Sequence, residues 1–600
     1  MIKFDKRFNA KGERRTEVRV VEGYRPAPGM RPKQRTIKNF GCLEDQKDAE
    51  TFLEKVRQFN HDYRTMNPPI HIKISKTEKM YCKENQRQNY GYKFLENIYD
   101  SLQITSFIQN YEKGHPFRGK YSLSDIFKFL VLVRILRPDS KRATYQIKNN
   151  FYGMHTDFTL QDIYRALDCF ADFGVELQRH LNKVVKETIG RDLSYVFYDV
   201  TNYFFDIDFP DGENDLREKG VSKEHRTDPI VAMGLFMDSN GLPVNMSIFP
   251  GNTSDSVTLQ PTMKDIRASY HLGRLIVVAD KGLNSSKNID AIVHQGDGFV
   301  FSQILKGKKG LRYQDKLWDP DGWTTNAAGS YRYKIFTEEY EGRDPKGKRE
   351  TRLRKVLLYW DKSDAERAKR DREDKLERAE RSVRNNAWGI PKGADKYTRE
   401  DWIDKDTGKV LDHTKKIRHV DWKKAEQDAK YDGYFCIITS ELDYDERKMR
   451  QVYGGLWRIE ESFRIMKSDL YARPVFVRKN EHIQGHFLIC FVSLLILRII
   501  QYRMGNKILS AERISRALNA ANCQVLKGGI IHLEDVGGAI AFKKKLDKNG
   551  KLVDTLEYSS EDEIALDFRA IQKTFGTQFE NIYYRKEVFD RLLRKLNIAI

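Results

Sequence analysis

Residues 193–305 limit most tightly what this chain can fold into. LSYVFYDVTNYFFD, DPIVAMGLFMD and LPVNMSIFP are rich in Val, Tyr, Phe and Met, and β-branched and aromatic residues favour strands. Ser239-Asn240-Gly241, between the second and third runs, is a good hairpin turn. A helix over 258–269 leads to RLIVVAD, a short unbroken apolar run of the buried-strand kind. Another helix (SSKNIDAIVHQ) and a further strand (GFVFSQIL) follow. The order is three antiparallel strands, helix, strand, helix, strand.

The flanking regions differ. Residues 1–60 alternate basic and apolar positions, which predicts a basic β-hairpin turning at Pro26, Pro28 and Gly29, with a helix over 44–60. Asn67-Pro68-Pro69 then breaks the pattern. Residues 93–190 read as helices, the last begun by Thr159 as an N-cap, with a basic loop, RPDSKRATY, at Arg137–Tyr145. Residues 306–433 contain KGKKGLR, the strands YRYKIF and KVLLYW, and a highly charged helix, Ser363–Arg384, almost without an apolar stripe. DGYFCIITS returns as a strand, and a long helix is expected from near Tyr444 through 470. The remainder reads as helical, with a basic turn at KKKLDKNGK (543–551).

Composition excludes several classes. The 600 residues carry 70 aromatic side chains, too many for a disordered chain. They are also too many residues for one core, which rarely exceeds about 250–300. The most apolar run, Phe487–Ile500, contains Arg498 and is shorter than the roughly 20 residues a membrane span needs, so a buried helix is expected and no membrane. The N-terminus has no apolar signal region. Cys42, Cys82, Cys169, Cys436, Cys490 and Cys523 form no CxxC pair, which argues against disulfides and zinc and fits a reducing cytoplasm. Lys plus Arg outnumber Asp plus Glu by 106 to 86, for a net charge of +20. In that compartment the excess points to a polyanion, most often nucleic acid.

Two acids stand out against this background. Asp199 lies inside the first strong strand, where an unpaired charge is costly. Asp280 ends RLIVVAD. Alone it could cap a turn, but acids at the ends of adjacent strands suit a divalent cation such as Mg²⁺, which takes hard oxygen ligands. A third acid is sought on the helix over 445–471. Leu456, Ile459, Phe463, Met466 and Leu470 form its buried stripe. Tyr453, Trp457, Glu460, Arg464, Lys467 and Tyr471 form a second stripe, centred roughly 110° away at about 100° per residue. Glu460 can therefore look into a cleft beside the sheet, while Glu461 is expected to point to solvent. Tyr, Trp, Arg and Lys on one stripe are the types that hold phosphates and stack bases.

These blocks resemble the DDE transposases of bacterial insertion sequences, in particular the group with a Tyr-Arg-Glu-Lys signature. That signature reads here YGGLWRIEESFRIMK, with Tyr453, Glu460 and Lys467 in matching positions and Leu456 where the Arg would stand. YDVTNYFF and VVADKGLNS look like the family's two Asp blocks, and FPGNTSDSVTL like the segment between them. RILRPDSKRATY and RPVFVRKNEHIQGH are similar to further family segments. The resemblance implies an α/β, ribonuclease H-like catalytic core interrupted by a mostly β insertion domain, with helical N- and C-terminal regions. The expected segments are a basic N-terminal region (1–90), a helical DNA-binding region (91–190), the core (191–305 and 434–505), the insertion (306–433) and a C-terminal helical region (506–600).

The resemblance also implies function. Asp199, Asp280 and Glu460 would be the catalytic and metal-binding triad, holding Mg²⁺ or Mn²⁺, two ions per site. Cleavage at the element ends and joining of the 3′-hydroxyl to target DNA would follow, with a hairpin intermediate left open. Tyr453 and Lys467 inherit a phosphate grip, and Trp457 matches an aromatic position that related enzymes use to hold an unstacked base. Arg464, on the same stripe, is expected to replace the missing signature Arg. Arg137, Lys141 and Arg142 are DNA-binding candidates in the basic loop. The partners would be the transposon ends and target DNA, held by a homodimer. Two alternatives stand beside this reading: an inactive or domesticated DNA-binding relative, and a ribonuclease H-like nuclease without strand transfer.

Overall fold

The computed structural model describes residues 1–8, 13–24, 33–46, 48–66, 87–115, 119, 121–207, 215–221, 227–270, 273–384, 395–402, 416–505, 509–526, 528–534, 536, 541–546, 552–557, 560–579 and 581–597. The expected turn at Pro26, Pro28 and Gly29, the break at Asn67–Pro69, Cys82 and residues 547–551 of the basic C-terminal turn lie outside them. The chain forms two compact units, Met1–Tyr90 with Ala520–Leu596, and Gly91–Asn519 with Asn597–Ile600.

In the first unit, β1 (Ile2–Phe8), β2 (Arg14–Tyr24) and β3 (Lys33–Cys42) form an antiparallel sheet beside α1 (Ala49–Met66). Period-2 alternation sorts the residues. Val18 and Val20 pack with Phe52 and Val56 of α1. Many of the basic residues here meet acids: Arg19 pairs with Asp5, Arg7 with Glu17 at 3.3 Å, and Arg35 with Glu22 at 2.8 Å. The strand β4 (Gln88–Asn89) ends this part of the unit.

The second unit begins with α2 (Tyr92–Ser101), α3 (Ile104–Gly114), α4 (Leu123–Leu136), α5 (Lys141–Gln146), α6 (Leu160–Asp172) and α7 (Gly174–Thr188). Ser122, Ser140 and Thr159 cap α4, α5 and α6, and Thr159 forms a full capping box with Asp162. The core strands follow: β5 (Tyr195–Phe204), β6 (Ile230–Asp238) and β7 (Pro243–Pro250), then α8 (Asp255–Tyr270), β8 (Ile276–Ala279), α9 (Ser286–His294) and β9 (Gly298–Ser302). β5, β8 and β9 are parallel; β6 pairs antiparallel with β5, and β7 antiparallel with β6. This is the ribonuclease H-like order expected from the sequence.

The insertion over 306–433 contains helices as well as strands. It holds α10 (Gly307–Gly310), α11 (Gln314–Trp318), β10 (Thr324–Thr325), β11 (Tyr331–Arg343), β12 (Arg349–Asp361), α12 (Lys362–Arg384), β13 (Thr398–Trp402), β14 (Lys416–Val420) and α13 (Trp422–Ala429). β15 (Tyr434–Thr439) pairs with both β9 and β12. The long β11–β12 hairpin thereby extends the core sheet to nine strands, in the order β10-β11-β12-β15-β9-β8-β5-β6-β7. The strands carry the apolar alternation that joins one sheet, while α12 buries only Ala379 and Ser382.

The expected long helix after β15 is broken. It comprises α14 (Glu446–Gly454), α15 (Trp457–Arg464) and a π turn over Ile465–Asp469. α16 (Asn480–Met504) contains the most apolar run; it is a buried core helix packed on α4 and α6, and α17 (Ala511–Ala520) follows. The last part of the first unit carries strands as well as the expected helices: β16 (Asn522–Leu526), β17 (Ile530–Leu533), β18 (Ala541–Leu546), β19 (Leu552–Glu557), α18 (Ser560–Thr574), β20 (Tyr583–Arg585) and α19 (Lys586–Arg594). β20, β17, β16 and β4 share a sheet, and Tyr90 packs against Phe568, Phe579 and Phe589. These strands are so short that turns and charges mask their period.

Candidate active site

The sheet's two faces are distinct. Val196, Tyr198, Val200, Val277, Ala279, Phe299 and Phe301 join the core cluster that includes Leu259 and Met263 of α8 and Ile289 and Ile292 of α9. By alternation, Phe197, Asp199, Val278, Asp280, Val300 and Ser302 point to the other face.

Strand register brings the two aspartates level. Phe197 lies opposite Val278, and Ala279 opposite Phe301. Continuing by two residues sets Asp199 beside Asp280, and continuing by one sets Asp280 beside Ser302. Side-chain bonding agrees: Ser302 Oγ donates to Asp280 Oδ1 at 2.6 Å. The Tyr453 hydroxyl, from α14, donates to the same oxygen at 3.1 Å. Burial, and then the Asp280 carboxylate, push the Tyr453 phenol well above its ordinary pKa, so it stays protonated as a donor.

α14 is started by Asp445, whose side chain accepts from the Lys448 N–H. It ends at the Gly454–Gly455 pair. A Cβ at Gly455 would stand 2.3 Å from the Phe197 ring, so glycine permits the close approach of this turn to β5. Further along, the Tyr203 hydroxyl donates to Met466 Sδ at 3.6 Å. α15 and the π turn thus follow β5 from Phe197 to Tyr203. Asp199 is about 6.6 Å beyond Phe197, and a helix rises about 1.5 Å per residue. The α15 residues level with Asp199 are therefore those about four positions past Gly455. Ile459 and Glu460 stand there, Ile459 buried and Glu460 exposed.

The predicted buried stripe holds: Leu456, Ile459, Phe463, Met466 and Leu470 are all buried. On the second stripe, Trp457 is 55% exposed with the Arg458 guanidinium 5.3 Å from its ring centroid. Arg464 is half exposed and pairs with Glu461 at 3.9 Å and Asp469 at 3.6 Å. Lys467 Nζ is 5.8 Å from the Tyr203 ring centroid.

Two expectations are corrected. Glu461 does not point to solvent: its carboxylate accepts from Arg498 Nη1 at 2.8 Å, because α16 packs against that side of α15. Lys141 is not available to DNA. It is 4% exposed, with Nζ 3.3 Å from His486 Nδ1. Burial, and then Arg134, push its pKa well below the ordinary value. Its neighbours differ: Arg142 is exposed, and Arg137 is half-buried, donating to Asn519 Oδ1 at 3.4 Å. Ser302 and Arg498 were missed as candidates. Ser302 gives no local signal, whereas Arg498 stands out as the one charge in an apolar run.

Among the described residues, no three His, Cys, Asp or Glu side chains gather closely enough to hold a metal ion. The carboxylates of Asp199 and Asp280, on one sheet face, are nevertheless hard oxygen donors of the kind a divalent cation takes.

Two family models match the chain. The IS1634 family transposase N-terminal domain covers residues 2–62, and the transposase DDE domain covers residues 217–496. The chain belongs to the insertion-sequence DDE transposases. The DDE-domain match of this transposase spans Asp280 and Glu460 and begins after Asp199, whose place in the site rests on strand register. Enzymes of this family generally use divalent metal ions. The chain is also similar to the cryo-EM structure of a piggyBac transposase synaptic complex with hairpin DNA, at 10% identity and a TM-score of 0.31, covering 72% of this chain and 82% of that one. No curated protein matches it.

Proposed function

We propose that this transposase binds the terminal inverted repeats of its insertion sequence, cleaves at the element ends and joins the 3′-hydroxyl to target DNA, with Asp199, Asp280 and Glu460 as the catalytic carboxylates. The observation that carries this reading is the register of β5 and β8, in which Phe197 lies opposite Val278; continued by two residues, it sets Asp199 beside Asp280 on the sheet face along which α15 runs. Asp199, Asp280 and Glu460 would supply the oxygen ligands for Mg²⁺ or Mn²⁺. When bound, a pair of such ions about 3.5–4 Å apart supplies activation of a water or 3′-hydroxyl and stabilisation of the leaving oxygen in an in-line displacement.

The chain's own residues do the rest. Tyr453 and Ser302 orient the Asp280 carboxylate through its Oδ1 atom. Lys467 and Tyr453 fit the positions of a Tyr-Arg-Glu-Lys signature, and Lys467 grips a phosphate near the scissile bond. Arg464 takes the role of the signature Arg by exchanging its bonds to Glu461 and Asp469 for a phosphate; Arg464→Ala with unchanged end binding and cleavage would refute that role. Trp457, exposed beside the site, offers a ring on which an unstacked base can rest. Arg142 and Arg137 contact the DNA backbone. Two ends must be brought together, so a homodimer is the working form, acting on DNA in the bacterial cytoplasm.

The test uses DNA carrying the element's flanking repeats, Mg²⁺ and a target plasmid. Wild type should cleave and join, while Asp199→Ala, Asp280→Ala and Glu460→Ala should bind without cleaving. The ungathered triad favours one second reading, a DNA-binding relative without activity; binding with no cleavage by wild type would support it. Cleavage without joining would instead mark a nuclease.

A further inference from the structure

Arg498 is the one charged residue in the apolar run Phe487–Ile500, and it is 8% exposed. All five of its N–H donors are engaged. Nη1 donates to Glu461 Oε2 at 2.8 Å and to Gln501 Oε1 at 3.0 Å. Nη2 donates to the Arg458 carbonyl at 3.0 Å and to Ser462 Oγ at 2.7 Å, and Nε donates to the same hydroxyl at 3.1 Å. Three of its partners therefore belong to α15, and they bracket Glu460 in sequence.

α15 owes its rotation to its buried stripe, Ile459 and Phe463, together with these Arg498 contacts. It is 8 residues long, lies between the Gly454–Gly455 break and a π turn, and has no side-chain cap. Glu460 and Glu461 are adjacent, so they project about 100° apart. A turn of that size in one sense would put Glu461 where Glu460 stands. It would also strip Arg498 of its carboxylate, and a buried charge without its partner is strongly unfavourable. The rotation that keeps Glu461 on Arg498 leaves Glu460 outside this clamp and exposed, level with Asp199.

We propose that Arg498 is a positioning residue that selects Glu460, rather than Glu461, as the third oxygen donor of the site. This rests on the carboxylate reading given under Proposed function. The charge in the apolar helix thus serves the site at one remove, by holding the back of the helix whose other side faces DNA.

The test uses the full-length protein and Mn²⁺ as probe. Arg498→Met combined with Glu461→Gln removes both charges together, which spares the fold an unpaired buried charge; thermal unfolding checks that it folds. Calorimetry without DNA should show Mn²⁺ bound at least about tenfold more weakly than by wild type, the lower end of the cost of losing a partner that orients a metal ligand. Cleavage of an element end should fall in step. Arg498→Lys, which keeps one cation but not the fork, should fall between, and it carries the same readouts if the double variant unfolds. A folded variant with wild-type Mn²⁺ affinity and cleavage overturns the proposal. Glu460→Gln separates the two levels. If it leaves Mn²⁺ affinity unchanged, the carboxylate reading fails and the role of Arg498 with it. If it weakens Mn²⁺ binding and the Arg498 variants do not, only the role of Arg498 fails.

Discussion

Tyr453 donates its hydroxyl to Asp280 Oδ1 at 3.1 Å, from a helix more than 170 residues away in sequence. Ser302 donates to the same oxygen at 2.6 Å. One carboxylate oxygen is thus held by two neutral donors, while Oδ2 is outside both bonds.

Tyr453→Phe removes one of these donors and keeps the ring. Losing a partner that orients a metal ligand typically costs 10–100-fold in activity or metal affinity. We expect the end-cleavage rate to fall by about that factor, with stability changed by only about 1 kcal/mol. Single-turnover cleavage and denaturant unfolding measure the two. An unchanged cleavage rate would show that Ser302 alone suffices.

Gly455→Ala should destabilise the protein. Its Cβ would meet the Phe197 ring at 2.3 Å, and overpacking of this kind costs about 1–3 kcal/mol. Combining it with Phe197→Leu should recover part of the loss, read by the thermal midpoint. A neutral Gly455→Ala would mean that α14 and α15 can move away from β5.

Lys141 and Arg142 should behave oppositely in DNA binding. Arg142→Ala should weaken binding across sequences and lower the salt slope by about one phosphate contact. Lys141→Met should leave both unchanged, because Lys141 is enclosed against His486. Gel-shift titrations at several salt concentrations decide.

The same lysine makes stability depend on pH. Its folded pKa lies well below the ordinary value, so the unfolded chain binds more protons and stability rises with pH. The rise continues up to the unfolded lysine pKa, about 10.4, with a limiting slope of about 1.4 kcal/mol per pH unit. Wild type should therefore gain stability between about pH 8 and 10 more steeply than Lys141→Met. Equal slopes would show that Lys141 is charged in the fold.

Much of the fold is legible in the chain because it follows local rules. The strands from Tyr195 to Ser302 carry their own propensity, Gly241 takes a positive φ of 80° in the expected hairpin, and Thr159 caps its helix. The stripe Leu456, Ile459, Phe463, Met466 and Leu470 declares one buried face of α15 and the turn after it. The short strands β16, β17 and β20 are not legible, since three to five residues hardly display a period. Nor is it legible that β11 and β12 join the core sheet, because the pairing partner, β15, comes only after α12 and α13.

The sequence by itself determined the succession of strands and helices from Tyr195 to Ser302, an aspartate inside one strand and another at the end of a second, and the relative angles of side chains along α15. Helical phase gives those angles from residue spacing alone. Which side of a helix a distant segment covers is settled by packing, and only the tertiary structure decided that. Arg498, on α16, holds the Glu461 carboxylate, while Glu460 beside it is exposed. His486, on the same helix, encloses Lys141, which begins α5 where the sequence suggested an exposed basic loop. In both cases the deciding partner lies far along the chain, where no local period reaches it.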